Sequence, residues 1–252
     1  MSRLSGRVAI ITGSGQGLGR AFAMAFAAES AQVVIAESHI DSGRMVADEI
    51  EAQGGRALFV ETDVRSADSV DRLMRVTVEV FGGVDVLFAN AAVYSGIRMV
   101  PLEDLTEEEW DEVQAVNVRG VWNCVRAVLP IMRSRGGGKI ITVGSSSALA
   151  GTPHMLHYVA SKGAIAAMTR AMAIELGRDG ITVNALVPGL TDSGAQKVWQ
   201  VPEGTWRPSQ QPAIDHRLTP ADLVGAAIFL ASADADLMTG QLLVVNGGSA
   251  FS

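Results

Sequence analysis

The sequence predicts an α/β fold, doubly wound, with a parallel sheet of about seven strands and helices on both faces. Three observations carry this. Short β-branched runs alternate along the chain with longer stretches of helical spacing. Ala, Val, Ile and Gly abound while aromatics make up only 5% of the residues, a composition suited to helices packed closely on a buried sheet. A glycine-rich turn directly follows the first strand-like run.

The strand-like runs are Arg7–Thr12, Gln32–Glu37, Ala57–Glu61, Val84–Ala89, Lys139–Val143, Ile181–Val187 and Leu242–Val245. Helical stretches Gly17–Ser30, Ser42–Gln53 and Ser66–Phe81 separate the first four, which makes them βαβ units. Thr106–Arg135 reads as one long helix, capped by Thr106 with Glu109 in the box position and bent at Pro130. A further helix starts near Tyr158 and reaches about Gly177. Residues 190–218 carry Trp199, Trp206, three prolines and little periodicity; so long a loop predicts a substrate lid. No Ser/Pro/Gly-rich linker divides the chain, so residues 1–252 are expected to form a single domain.

Composition excludes several functions. The net charge of -7 supplies no basic surplus to neutralise phosphates, which argues against nucleic-acid binding. The lone cysteine, Cys124, excludes an internal disulfide framework, offers no metal-ligand cluster and fits a reducing cytoplasm. No charged segment leads into a long apolar run near the start, so no signal peptide is expected. Gly, Pro or charge interrupts every apolar run before membrane-spanning length, despite a mean hydropathy of +0.25.

The strand–turn–helix at Val8–Arg20 places Gly13, Gly17 and Gly19 where the backbone can approach a pyrophosphate at a helix N-terminus. The spacing is Gly-x-x-x-Gly-x-Gly rather than GxGxxG. Glu37 closes the second strand, where a carboxylate can accept bonds from the adenosine ribose and repel the additional phosphate of NADP. No Arg or Lys follows until Arg44, and Gln16 in the turn is neutral, so NAD is expected over NADP. A dinucleotide on such a turn is the Rossmann-type arrangement.

Tyr158 and Lys162 lie four residues apart, on one helical face. A nearby ammonium and the nicotinium charge would favour the phenolate, bringing tyrosine toward useful acid/base range. Thirteen residues upstream, Ser145 follows a strand and begins a run of three serines. A hydroxyl at that position faces the ligand cleft and can hold a carbonyl or carbinol oxygen; Ser146 and Ser147 are alternatives by proximity.

Taken in order, these motifs resemble the short-chain dehydrogenase/reductase family from the first strand to the C-terminus. The family's cofactor turn corresponds to Thr12–Gly19, including Gly13, Gln16, Gly17, Leu18 and Gly19. Its adenine-contacting pair corresponds to Asp63 and Val64. Its Asn-Ala-Gly motif corresponds to Asn90, Ala91 and Ala92, departing in the last residue. The resemblance further implies that Pro188 and Gly189 follow the sixth strand, and that Thr191 and Ser193 meet the nicotinamide carboxamide. It implies a catalytic set of Asn117, Ser145, Tyr158 and Lys162. On the same resemblance, Tyr158 would exchange a proton with the substrate oxygen, Lys162 would lower the tyrosine pKa and hold the nicotinamide ribose, and Asn117 would keep a water near Lys162. No metal is needed, and a homotetramer is implied.

Two histidines, His154 and His157, sit beside Tyr158 without an acidic partner at triad spacing, so they are read as pocket-shaping. Met99, Met155 and Met168 are expected to fill core gaps, and Cys124 to pack on an apolar helix. Glu107–Glu109 is expected to be a solvated first turn. Tyr94, Ile97, Met155 and Trp199 suggest a mainly apolar pocket, hence a hydrophobic small-molecule alcohol or ketone, aromatic or alicyclic. His154, Met155 and Trp199 join Ser145 and Tyr158 as expected substrate contacts. The rival readings are a 3-oxoacyl-thioester reductase of fatty-acid synthesis and a non-catalytic dinucleotide sensor. Glu37 and the acidic charge oppose the first, and the intact Ser145, Tyr158 and Lys162 oppose the second.

Overall fold

Seven runs form strands: Val8–Thr12 (β1), Gln32–Glu37 (β2), Arg56–Glu61 (β3), Val86–Ala89 (β4), Gly138–Val143 (β5), Ile181–Pro188 (β6) and Leu242–Val245 (β7). In the computed structural model, which describes residues 2–194 and 212–251, they make one all-parallel sheet in the order β3-β2-β1-β4-β5-β6-β7. The fourth strand starts two residues later than its apolar run. Asp85 there is buried and works as an anchor instead: its Oδ2 accepts from Val8 N at 2.8 Å and its Oδ1 meets Arg135 at 3.1 Å.

Strands that read as continuous apolar runs are those covered on both faces. Alternation divides their side chains between two cores. Ala9, Ile11, Val33 and Ile35 face one, packed by α1 (Gly17–Ala28), α2 (Ile40–Ala52) and α8 (Pro220–Ala231) through Phe22, Phe26, Val46, Ile50 and Leu223. Ile10, Val34, Leu87 and Ile140 face the other, packed by α3 (Ala67–Phe81), α5 (Gly120–Ser134) and α7 (Leu156–Leu176) through Val70, Leu73, Val128 and Ile165. Cys124 is buried in this second core, and burial pushes its thiol up to about 12, so packing is what it does. Met99 is likewise buried and Met168 partly so.

The expected single helix over Thr106–Arg135 is a correction. Thr106 does cap it, accepting from Glu109 N at 3.2 Å while Glu109 Oε2 accepts from Thr106 N at 3.1 Å. The helix α4 (Glu107–Gln114) then widens into a π turn over Ala115–Arg119 before continuing as α5, which runs through Pro130 without interruption. The irregularity lies near Asn117, where an inserted residue re-aims the chain, and not at the proline. Glu109 also differs from expectation: its carboxylate is held by Arg98 at 2.7 Å, and with the cap this pulls it down to about 2.

A short helix, α6 (Ser147–Ala150), bridges β5 to α7. No helix among the described residues is long and apolar enough to cross a membrane. With β1 lying between β2 and β4, the connections from β1 and β4 leave toward opposite edges of the sheet, and a crevice opens at the strands' C-terminal ends.

Candidate active site

The turn after β1 is held by side chains of the opposite half. Thr12 Oγ1 accepts from Asn90 N and Ala91 N, each at 3.0 Å. Asn90 Nδ2 in return donates to Thr12 O at 2.9 Å and Gly13 O at 3.0 Å. Gly13 has a φ of +63°, and a Cβ there would sit 2.8 Å from Ala91 Cα. A Cβ on Gly19 would strike the carbonyl oxygen of Gly13. The backbone is thus packed to a limit that only glycine meets, leaving the N-terminus of α1 open to a ligand.

That opening belongs to a cleft of about 780 Å³. Gly13, Gln16, Gly17, Leu18 and Gly19 line one part of it, and Glu37, Asp63 and Val64 another. Glu37 is buried, with Oε2 accepting from Gly15 N at 3.0 Å and Oε1 from Ser38 N at 2.8 Å and His39 N at 3.1 Å. A carboxylate fixed by three backbone amides is a firm negative wall. Asp63 is held below the usual carboxylate range by hydrogen bonds from Arg65, which reaches both of its oxygens. Farther along, the cleft is lined by Asn90, Ala91 and Ala92, then by Pro188, Gly189, Thr191 and Ser193. This glycine cradle, helix N-terminus and anchored acid fit an elongated dinucleotide.

Tyr158 and Lys162 stand on α7, with Ser145 in the loop after β5, and all three line the cleft. Lys162 is 4% exposed. Its Nζ donates to Val143 O at 2.8 Å and lies 5.6 Å from the centre of the Tyr158 ring. Burial without a carboxylate draws the ammonium down to about 8. Burial pushes the Tyr158 phenol the other way, up to about 12, opposed only by a hydrogen bond with Ser145. In the free protein desolvation is the largest influence on the phenol, with the Lys162 ammonium 5.6 Å from the ring centre. Ser145 Oγ also accepts from Ser147 Oγ at 2.8 Å and Ser147 N at 3.2 Å, which orients it.

Asn117 lies on the π turn, buried, and lines neither cavity. Its Oδ1 accepts from Val93 N at 2.7 Å, and its Nδ2 donates to Ser161 Oγ at 3.0 Å. Ser161 Oγ donates to Tyr158 O at 2.7 Å. Val93, a wall of the cleft, is thereby tied to the turn of α7 that carries Tyr158. The sequence reading missed Ser161 and this tie; its i, i+3 spacing from Tyr158 was the available signal.

A smaller cavity, about 270 Å³, meets the cleft at Ser145, Tyr158, Tyr94 and Gly189, which line both. The Tyr94 and Tyr158 rings lie 5.1 Å apart, in a cluster with Ile97, Met99 and Met155. Met155 lines this cavity as expected. His154 lines neither cavity; its φ is +65° and its carbonyl accepts from Val100 N. His157 is buried with Nδ1 unpartnered, and burial lowers its pKa. Trp199, and residues 195–211 of the expected lid, lie outside the described residues. Asn246, Ser249 and Ala250 form a wall that the sequence reading did not anticipate.

A protein-family model described as Enoyl-(Acyl carrier protein) reductase matches residues 13–250. The chain is 37% identical to galactitol 2-dehydrogenase of Agrobacterium fabrum, over 98% of each chain. Among solved structures, it resembles a 3-ketoacyl-(acyl-carrier-protein) reductase from Brucella melitensis complexed with NADH, at 34% identity, TM-score 0.89, and coverage of 98% of this chain and 99% of that one. It also resembles a gluconate 5-dehydrogenase from Burkholderia cenocepacia in complex with NADP and tartrate, at 32% identity, TM-score 0.89, covering 98% and 96%.

The buried ammonium has a consequence for stability. Lys162 releases its proton near 8 in the folded state, against an ordinary value of 10.5. Between these values the unfolded chain binds more protons, so this group's cost to stability is full below pH 8 and fades as pH rises to 10.5. Lys162→Met is expected to be more stable than the parent at pH 7, with the gain vanishing toward pH 10.5, in urea unfolding across pH. A parent at least as stable as the variant at pH 7 would contradict it.

Proposed function

Because the chain belongs to the short-chain dehydrogenase/reductase family, we propose that it is an NAD-dependent dehydrogenase interconverting a secondary alcohol and its ketone, with Tyr158 as acid/base group. Family membership makes it an oxidoreductase acting on CH–OH groups with a nicotinamide dinucleotide. The observation that carries the finer reading is the junction of the two cavities, lined on both sides by Tyr158 and Ser145, with Lys162 buried on the cleft side.

When bound, the dinucleotide supplies the hydride acceptor for oxidation and the hydride donor for reduction. The proton is the protein's share. Tyr158 Oη takes the hydroxyl proton as the carbonyl forms, and returns it in reduction. Ser145 Oγ, fixed by Ser147, holds the same substrate oxygen. Lys162 stabilises the phenolate once further positive charge arrives, and holds the nicotinamide ribose. Asn117 spends its side-chain amide on Val93 and Ser161, so its contribution is to hold the π turn, with a water near Lys162 kept by its backbone. Thr191 and Ser193 serve the carboxamide, and Asp63 and Val64 the adenine.

Glu37 supports NAD, since a fixed carboxylate repels the additional phosphate of NADP. Tyr94, Met155, Leu190 and Leu218 support a substrate with an apolar body, aromatic or alicyclic. Exposed Trp122 on α5 and Ile174 on α7 support pairing of these helices in a homotetramer. The lone buried thiol suits the cytoplasm. A 3-oxoacyl-thioester reductase is the second reading, favoured by the likeness to the Brucella reductase; NADH-dependent reduction of acetoacetyl-CoA in preference to simple ketones would select it.

Two outcomes test the reading. Tyr158→Phe should lower kcat by about 10²–10⁴-fold while NADH still binds by fluorescence titration; unimpaired turnover would refute the assignment. The parent should use NAD+ with a kcat/KM about tenfold or more above that for NADP+, and Glu37→Ser should narrow that ratio; a parent preferring NADP+ would overturn the role of Glu37.

A further inference from the structure

The smaller cavity constrains the part of the substrate that does not react. Tyr158 and Ser145 form the end shared with the cleft. Beyond them stand two walls of polar side chains. Ser146, Ser147 and Thr152 come from the segment between β5 and α7, while His216 and Arg217 come from the stretch before α8 and Ser249 from the C-terminal segment. The side-chain hydroxyls of Ser146, Thr152 and Ser249 make no hydrogen bond among the described residues. No Asp or Glu lines this cavity among the described residues, although the chain carries a net charge of -7. Arg217 meets Asp192 at 3.1 Å and His216 meets Asp222 at 3.0 Å, and both acids stand outside the lining.

A hydrocarbon filling this space would displace water from these donors and give nothing back. Sites built to hydrogen-bond a substrate discriminate sharply against analogues that cannot. The described lining offers no carboxylate to a cationic substrate. Acceptor oxygens satisfy the hydroxyls and the guanidinium alike. Building on the dehydrogenase reading above, we infer that the substrate carries, beyond its reacting carbinol, one or more acceptor oxygens held by Thr152, Ser249 and Arg217. Its apolar face lies against Tyr94 and Met155, and its oxygenated edge faces these two walls. Hydroxyls and a carboxylate share this chemistry.

The test compares kcat/KM for cyclohexanol, cyclohexane-1,4-diol and 4-hydroxycyclohexanecarboxylate, with NAD+ and the full chain. At least one oxygenated ring should exceed cyclohexanol by about tenfold or more. That ratio should collapse toward unity in the Thr152→Val/Ser249→Ala double variant. Preference for the diol identifies hydroxyls as the oxygens held; preference for the carboxylate, reduced in Arg217→Gln, identifies a carboxylate. Cyclohexanol used as well as both oxygenated rings, or a ratio that survives the double variant, overturns the inference and leaves the dehydrogenase reading standing. No turnover of any of the three rings or their ketones, with NADH still bound, overturns both.

Discussion

The molecule depends on the link between the ends of β1 and β4. These neighbours send their chains toward opposite edges of the sheet, which opens a crevice between them. Thr12 and Asn90 hold that opening with four hydrogen bonds, two accepted by the threonine hydroxyl and two donated by the asparagine amide. The glycine turn, the exposed N-terminus of α1 and the approach of Gly13 to Ala91 all follow from this join. Glu37 completes the frame by accepting from Gly15 N, so the acid proposed to face the dinucleotide's adenosine end also braces the glycine turn.

Across the cleft the constraint is electrostatic. Lys162 is a buried cation held against a backbone carbonyl and the ring of Tyr158, and the phenol beside it is buried as well. Each is pushed toward its neutral form, the lysine to about 8 and the tyrosine to about 12. A second positive charge on the open side of the ring would reverse the balance for the tyrosine by favouring phenolate. In the proposed reaction that charge would come with the bound dinucleotide.

Much of this was legible in the sequence because it depends on local pattern. The seven β-branched runs became the seven strands, two with the bounds expected, and the Thr106/Glu109 cap formed as its spacing required. The glycine turn, Glu37 and Ser145 reach one cleft because each sits at the C-terminal end of a strand or just beyond it, and α7 brings Tyr158 and Lys162 to the same cleft. What escaped was what only tertiary structure decides. Apolar spacing cannot distinguish an α-helix from one holding a single π turn, so the interruption at Asn117 was invisible. The wall of Asn246, Ser249 and Ala250 lies about ninety residues from Tyr158 in sequence. Spacing reveals the charge beside Tyr158 but not the loss of water that pushes its phenol up.

We propose that Tyr158 is a phenol held protonated by burial and released by positive charge brought into the cleft. The chain contains only two tyrosines, so Tyr94→Phe leaves Tyr158 as the sole reporter. A carbon-13 NMR titration of the labelled phenol in that variant, without and with saturating NAD+, measures the claim directly. The account predicts ionisation near pH 12 in the free protein and a fall of about two pH units or more with NAD+ bound. Titration at the same pH in both states would contradict it.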